Sequence, residues 1–523
     1  MAYTVFQSGS TLQVADTSGT LTTLTMPSGI SLDTVNTPRF TVFGRYVVVV
    51  NTPSRPITVD GNLVVRPLTP LPPRSIPTVA GAAGGSLSGT YNGIRQTFRI
   101  LDIDGNVIAE SDYGQPSGSV TISGQYLKVS NLDLSPDSVT ESRIYRPTTN
   151  GSVLFPWISL SGNTATSIQD DLADAGLSLL TAPTLGSAPD LTLIAEWRGR
   201  LWGVSRTEID DLRWTESELM YSWPDSNDLP IPRIGSDSRG ITALVARSES
   251  LGVGRRNILW QMVGTSNADF QAVKVSENCG ILSQESVKVF NDVAYFLWFD
   301  GVYAWDNSGV HCISDGKVRN WFASDTYFNR GRYQYSFARI DPNRHKYQLF
   351  LCSAGSSTTD RWVEYDLDDK TWWGPHKTGA FTPTAALICP DANDVLVPTI
   401  GSSSGFLWQD RDTRTDGSST AIDFDVDTAF SDANTPDIEK YFGELSMMGK
   451  AQTSGTMSVT PKVGYFNASA QTPTMSYDMT KGRQRLRRVG TGKAMSLNFR
   501  HQTAGENVEL YGFECEYHEL GRR

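Results

Sequence analysis

At 523 residues, with 45 basic against 56 acidic side chains and a net charge of −11, the chain exceeds one ordinary domain and is acidic overall. An acidic chain does not grip phosphates by bulk attraction, which argues against a dedicated DNA binder but suits a wall past which DNA slides. No run of about 18 apolar residues occurs, so no membrane insertion is expected, and MAYTVFQSGSTLQV lacks the basic-then-apolar pattern of a signal peptide.

The five cysteines, Cys279, Cys312, Cys352, Cys389 and Cys515, are scattered and form no C-x-x-C pair. They read as small buried apolar residues of a reducing compartment, with no metal-ligand spacing. Residues 1–35 show little periodicity and read as weak strands and loops. From Phe40 the pattern sharpens into strand, Gly-Arg turn, strand and a further hairpin at Asp60-Gly61, since Asp-Gly between β-branched residues favours a tight turn. LTPLPPRSIPTVAGAAGGSLSG (68–89), proline-rich and then glycine-rich, reads as a linker. Residues 90–180 alternate at period two with turns every eight to twelve residues, the spacing of a small sandwich of about seven strands resembling a fibronectin-type-III module. A short helical turn in 167–182 would close it.

The stretch 191–264 organises the rest. LIAEWRGRLWGV is a hairpin, DLRWT a further strand, and ITALVA opens a new unit after a proline-broken segment. Short antiparallel strands with an aromatic on most of them are the unit of a propeller blade. Comparable units follow at 287–314, 335–374 and 381–410, for five or six blades in all. From Thr420 the strands lengthen, giving a C-terminal antiparallel sheet or sandwich. The expected fold is all-β: a β-propeller of about five or six blades with an inserted fibronectin-III-like sandwich and a C-terminal β platform. The divisions are 1–72, 73–183, 184–418 and 419–523.

Taken in this order, LIAEWRGRLWGV…LRWTE…SWPDSNDLPI, the early GRYVVVVNTPSRPITVDG, RIYRPTTNG and the terminal SLNFRHQ…VELYGFECEYHEL are similar to the β-propeller tail nozzle proteins of short-tailed bacteriophages, also called tail tubular or packaged-DNA-stabilising proteins. The resemblance spans most of 35–520, and its specificity lies in the order of the motifs. It implies a virion tail protein made in the host cytoplasm and assembled as a ring, usually a hexamer. The ring would sit below the head–tail adaptor and portal complex, continue the channel for dsDNA without sequence recognition, retain the packaged genome and seat fibres or spikes. It implies no enzymatic activity, no cofactor and no individual site residue. The alternative is a peripheral receptor- or glycan-binding tail protein on a propeller scaffold.

Two charged ladders stand out. Asp423, Asp425 and Asp427 share one face of a strand in AIDFDVDTAF, with Ile422, Phe424 and Val426 on the other; Lys481, Arg483, Arg485 and Arg487 likewise share a face in KGRQRLRRVG. They are candidates for channel lining or a subunit interface, against the plainer alternative of solvated outer faces that pair with each other across strands. Asp102-x-Asp104-x-Asn106 opens like a calcium loop, but Val107 and Tyr113 stand where the EF-hand pattern needs Gly and Glu, so a hairpin turn is expected. No catalytic triad, metal motif or phosphate loop is evident. Asp210-Asp211 and Asp368-Asp369 read as turn residues, and Trp372-Trp373 as blade packing or, in an enzyme or lectin, a sugar platform.

Overall fold

The computed structural model describes residues 3–521 except 234–238, 380, 410–414, 417–419 and 465–472, and omits the side chain of Arg488. The chain divides into two compact units. The first holds Met1–Ser357, Val363–Gly374 and Leu387–Leu396, and the second Thr358–Trp362, Pro375–Ala386 and Val397–Arg523.

In the first unit Arg39–Phe43, Tyr46–Val50, Ile57–Val59 and Val65–Pro67 form a four-stranded antiparallel meander in chain order. Within the first unit the same order recurs in 191–230, 243–276 and 288–312; 337–377 is a four-stranded meander in the same order whose residues divide between the two units, and 383–409 is a three-stranded one that falls mostly in the second. These meanders are the blades of an all-β propeller. Local chemistry sets the hairpins: Arg198-Gly199 and Asn291-Asp292 place both turn residues at positive φ, which matches the twist of the flanking strands.

A second turn device repeats. Asp16, Asp60, Asp102 and Asp391 each accept hydrogen bonds from the backbone N–H groups two and four residues on. Asp is suited to this because its short carboxylate mimics the missing backbone acceptor of a turn.

The apolar faces meet between blades. Leu193, Trp202, Val204 and Leu212 of one blade pack with Leu244, Leu251, Val253 and Met262 of the next. Ala243, Val245 and Leu259 then pack with Phe296 and Trp305 of the blade after it, and Leu297 and Val302 with Leu349 and Val363. First strands run beside one another, 39–43 by 191–197, 191–197 by 243–246, and 288–290 by 337–341. Trp202 is fully buried, its ring 5.0 Å from Trp214 and 4.9 Å from Phe270.

Of the stretch 1–35, residues 3–35 are more ordered than their composition indicated. Tyr3–Ser8, Thr11–Asp16 and Leu21–Thr23 make a three-stranded sheet, and Leu12, Val14, Leu24, Ile30 and Leu32 pack onto Val49, Ile57 and Val59 of the first blade. Polar Ser and Thr on the outer positions hide this pattern in the sequence.

The insert is a two-sheet sandwich. Val107–Glu110, Arg95–Leu101, Glu141–Pro147 and Leu154–Ser161 lie side by side in that order, facing a sheet of Ser167–Asp170, Val120–Ser130 and Thr78–Tyr91. Tyr91, Ile94, Ile122, Leu127, Ile144 and Trp157 fill the space between. The expected short helical turn is a single 3-10 turn at Asp174–Gly176. It is anchored by Arg146 of RIYRPTTNG, which is fully buried, donates to Asp174 at 2.7 Å and lies over the rings of Tyr91 and Trp157.

The linker expected over 68–89 is corrected in its second half, because Thr78–Tyr91 is a strand of 14 residues. The glycines serve close approach rather than flexibility. A Cβ on Gly85 would lie 2.1 Å from the Tyr126 backbone nitrogen, and one on Gly81 would strike the Gln125 side chain. The pairing register shifts at Gln125–Tyr126, leaving 83–86 looped out as an extended bulge.

In the second unit the C-terminal residues also form a sandwich. Phe424–Asp427, Ala494–His501, Thr456–Gly464 and Met475–Asp478 make one sheet, and Arg483–Gly492, Glu439–Gly449 and Leu510–Gly521 the other. Leu445, Met447, Val459, Tyr477, Val489 and Leu497 lie in the core between them.

Candidate functional site

Both charged ladders lie in this C-terminal sandwich, on different sheets. Asp423, Asp425 and Asp427 are exposed, and of the opposite face only Phe424 packs into the core, while Ile422 and Val426 stay exposed. The strand is short and at the sheet edge, so one anchoring ring is enough to fix its facing. Asp427 receives Lys462 Nζ at 2.6 Å, Asp425 receives the Asn498 amide at 2.7 Å, and Asp423 receives the Gln502 amide at 2.9 Å. Arg500 lies 3.9 Å from both Asp423 and Asp425. The acidic ladder therefore finds its countercharges on its own sheet and does not pair with the basic one.

The basic strand runs Arg483–Gly492, with Arg483, Arg485 and Arg487 on the exposed face and Leu486 buried between them. Lys481 falls in the turn before it, 3.4 Å from Asp478, and is not part of the ladder; the chain reverses at 479–482, so alternation begins two residues later than the sequence pattern indicated. Arg485 reaches Glu444 at 3.0 Å, and Arg483 reaches Glu514 at 3.0 Å and the Ser446 hydroxyl. Among the described residues Arg487 forms no ion pair. All these contacts are exposed and solvent-screened, so each is worth a fraction of a kcal/mol at most.

The strand Leu510–Gly521, expected from the terminal VELYGFECEYHEL, was not among the candidate site residues. It is 12 residues long, is an edge strand of the three-stranded sheet and carries exposed Tyr511, Phe513, Tyr517 and Leu520 beside Glu514, Glu516 and Glu519. Proteins usually blunt such an edge. The available signal was the aromatic-acidic alternation of VELYGFECEYHEL in a final strand.

Elsewhere the chemistry-bearing groups are tied to structure. Asp210 is held below the usual carboxylate range by its hydrogen bond from Arg233 and then by Arg255, whose buried guanidinium lies 2.5 Å away. Burial pushes neighbouring Asp211 up. Asp368 accepts from His345 Nδ1 at 3.0 Å, and its own N–H, like that of Asp369, caps Asp366. His501 is buried against Glu506 at 2.8 Å. Asp102 caps its hairpin and pairs with Arg45 at 2.7 Å, which accounts for the calcium-like spacing without an ion. Among the described residues no group of three His, Cys, Asp or Glu is placed to hold a metal.

Trp372 packs on Tyr365 and Phe322 and donates to the Ile313 carbonyl, whereas Trp373 is 56% exposed. A shallow groove lies between the first blade and the insert, lined by Phe43, Arg45, Tyr46, Asp102, Glu218 and Tyr221.

No protein-family model matches the sequence, and no curated protein matches it. Among solved structures the chain is similar to an exo-β-1,3-galactanase of Phanerochaete chrysosporium bound to galactose. The two are 9% identical over 63% of this chain and 96% of that one, with a TM-score of 0.24. It is also similar to the N-terminal domain of Nup159, again 9% identical, over 64% and 98% of the two chains, with a TM-score of 0.24. Likenesses this slight carry nothing about what the chain binds or does.

Proposed function

We propose that the chain is a structural protein of a phage virion, a subunit of a ring-shaped tail nozzle that continues the DNA channel, retains the packaged genome and seats fibres or spikes. The observation that carries the reading is the order of modules: one blade, an inserted sandwich, further blades, then a C-terminal sandwich. It is the order in which the nozzle-like motifs stand in the sequence. The ring, of six copies by that resemblance, would dock to the head–tail adaptor and pass dsDNA by shape alone. Its work is mechanical: subunits hold a lumen on the tail axis and open it at infection. An acidic outer strand such as 424–427 would suit a wall that does not hold a polyanion.

Particles made without this chain test the reading. The expected result is heads that fill with DNA and then lose it. Particles that keep their genome and fail only to adsorb would favour a peripheral receptor- or glycan-binding tail protein. Exposed Trp373, a flat ring free to stack on a sugar face, is the feature that supports this second reading.

A further inference from the structure

The sheet that contains the basic ladder has two unlike edges. Its strand order is Arg483–Gly492, Glu439–Gly449, Leu510–Gly521, so the first and last of these are the edges. Both pair antiparallel with the central strand and therefore run in the same direction. The register is flush: Ser446 stands opposite Arg485 on one side and Glu514 on the other, and Met448 opposite Arg483 and Gly512. One edge thus presents arginines on its outer face, and the other presents glutamates on that same face and at the same height.

We propose that Leu510–Gly521 of one copy pairs edge to edge, in parallel, with Arg483–Gly492 of the next copy, giving a head-to-tail contact between neighbouring subunits. The inference rests on the ring reading and supplies the contact between its copies. Three observations carry it. The acidic edge is long, pairs on its outer side with no other strand among the described residues, and leaves Tyr511 (68%) and Leu520 (56%) exposed near its two ends. Glu514 and Glu516 complement Arg485 and Arg487, and Arg487 and Glu516 have no ion-pair partner among the described residues. Two-fold pairing of the acidic edge with itself would bring together two strands that carry Glu514, Glu516 and Glu519 and no lysine or arginine, which is unfavourable. Unlike edges joined head to tail close into a ring when the rotation permits.

The test uses the full-length chain in sedimentation velocity over a wide concentration range. One variant carries Glu514→Arg with Glu516→Arg, the other Arg485→Glu with Arg487→Glu. The wild type should form assemblies, and each variant alone should associate at least about tenfold more weakly, because like charges now meet at every junction. An equimolar mixture of the two should restore assembly, since every junction then joins opposite charges; a merely misfolded variant would not be rescued. Assembly of the wild type that neither reversal weakens overturns this contact and leaves the ring reading standing. A wild type, variants and mixture that are all monomeric also overturn it, and the ring reading is then decided separately by where the chain lies in the particle.

Discussion

The carboxylate of Glu110, almost wholly buried in the inserted sandwich, lies 3.0 Å from the guanidinium of Arg99. It also accepts from the hydroxyls of Thr97 and Tyr145, each at 2.7 Å, and Arg99 donates to Tyr145 at 2.8 Å. A charge removed from water this thoroughly is tolerable only because each partner is in place. Glu110→Ala would leave the half-buried Arg99 beside a void with Glu141, at 3.4 Å, as its remaining carboxylate, and the expected loss is about 3 kcal/mol. Denaturant unfolding of the variant checks this; a loss below about 1 kcal/mol would mean that water replaces the carboxylate.

Trp202 is the corresponding point in the propeller. It is fully buried, donates to the Trp197 carbonyl at 3.1 Å and touches the rings of Trp197, Trp214 and Phe270. Trp202→Ala should cost about 3–5 kcal/mol through lost contact and the cavity left behind. Trp373→Ala, on an exposed ring, should change stability by less than about 0.5 kcal/mol. Thermal melts of the pair separate a packing tryptophan from one free to bind.

Gly85 predicts a steric effect. Gly85→Val places side-chain atoms where the Tyr126 backbone nitrogen already sits, so the bulge between Thr78–Tyr91 and Val120–Ser130 must open. A loss of about 1–3 kcal/mol is expected. Hydrogen exchange should show it as faster exchange confined to these two strands; unchanged protection there would contradict the packing described.

The capped turns set the acid limit. The Ser18 hydroxyl and Thr20 amide hold the Asp16 carboxyl below its usual 3.8, the Thr480 hydroxyl and amide do so for Asp478, and the Ser266 and Thr265 amides lower Asp269 to about 2. A carboxyl depressed in the folded state adds stability that is complete above its unfolded pKa and is lost as the pH falls through the folded value. Stability should therefore hold down to about pH 4 and decline between about pH 4 and 2. Asp269→Asn should flatten part of that decline, measurable in unfolding midpoints across this range. An equally steep decline in the variant would assign the acid limit to other groups.

Much of this architecture was legible because hairpins leave local marks. Arg198-Gly199, Asn291-Asp292 and Asp60-Gly61 are turn residues flanked by β-branched and aromatic runs, and the strands around them follow the alternation. The strand Thr78–Tyr91 was not legible, since its glycines are demanded by a partner 40 residues away, and glycine without that partner reads as a linker. The ladders were legible as faces, but their countercharges were not. Asp425 finds Asn498 and Arg500 only because the topology lays Ala494–His501 beside it. Lys481 was misplaced because alternation was extended through a turn. The exposed edge at 510–521 could be read as a strand, but its place at the edge of the sheet among the described strands belongs to sheet order, which no local pattern carries.

The most direct test of the nozzle account is cryo-electron microscopy of the intact particle with a small tag on this chain. The account predicts tag density as a closed ring around the tail axis, below the adaptor and around an open lumen. Density confined to lateral spikes, or none on the particle, would contradict it.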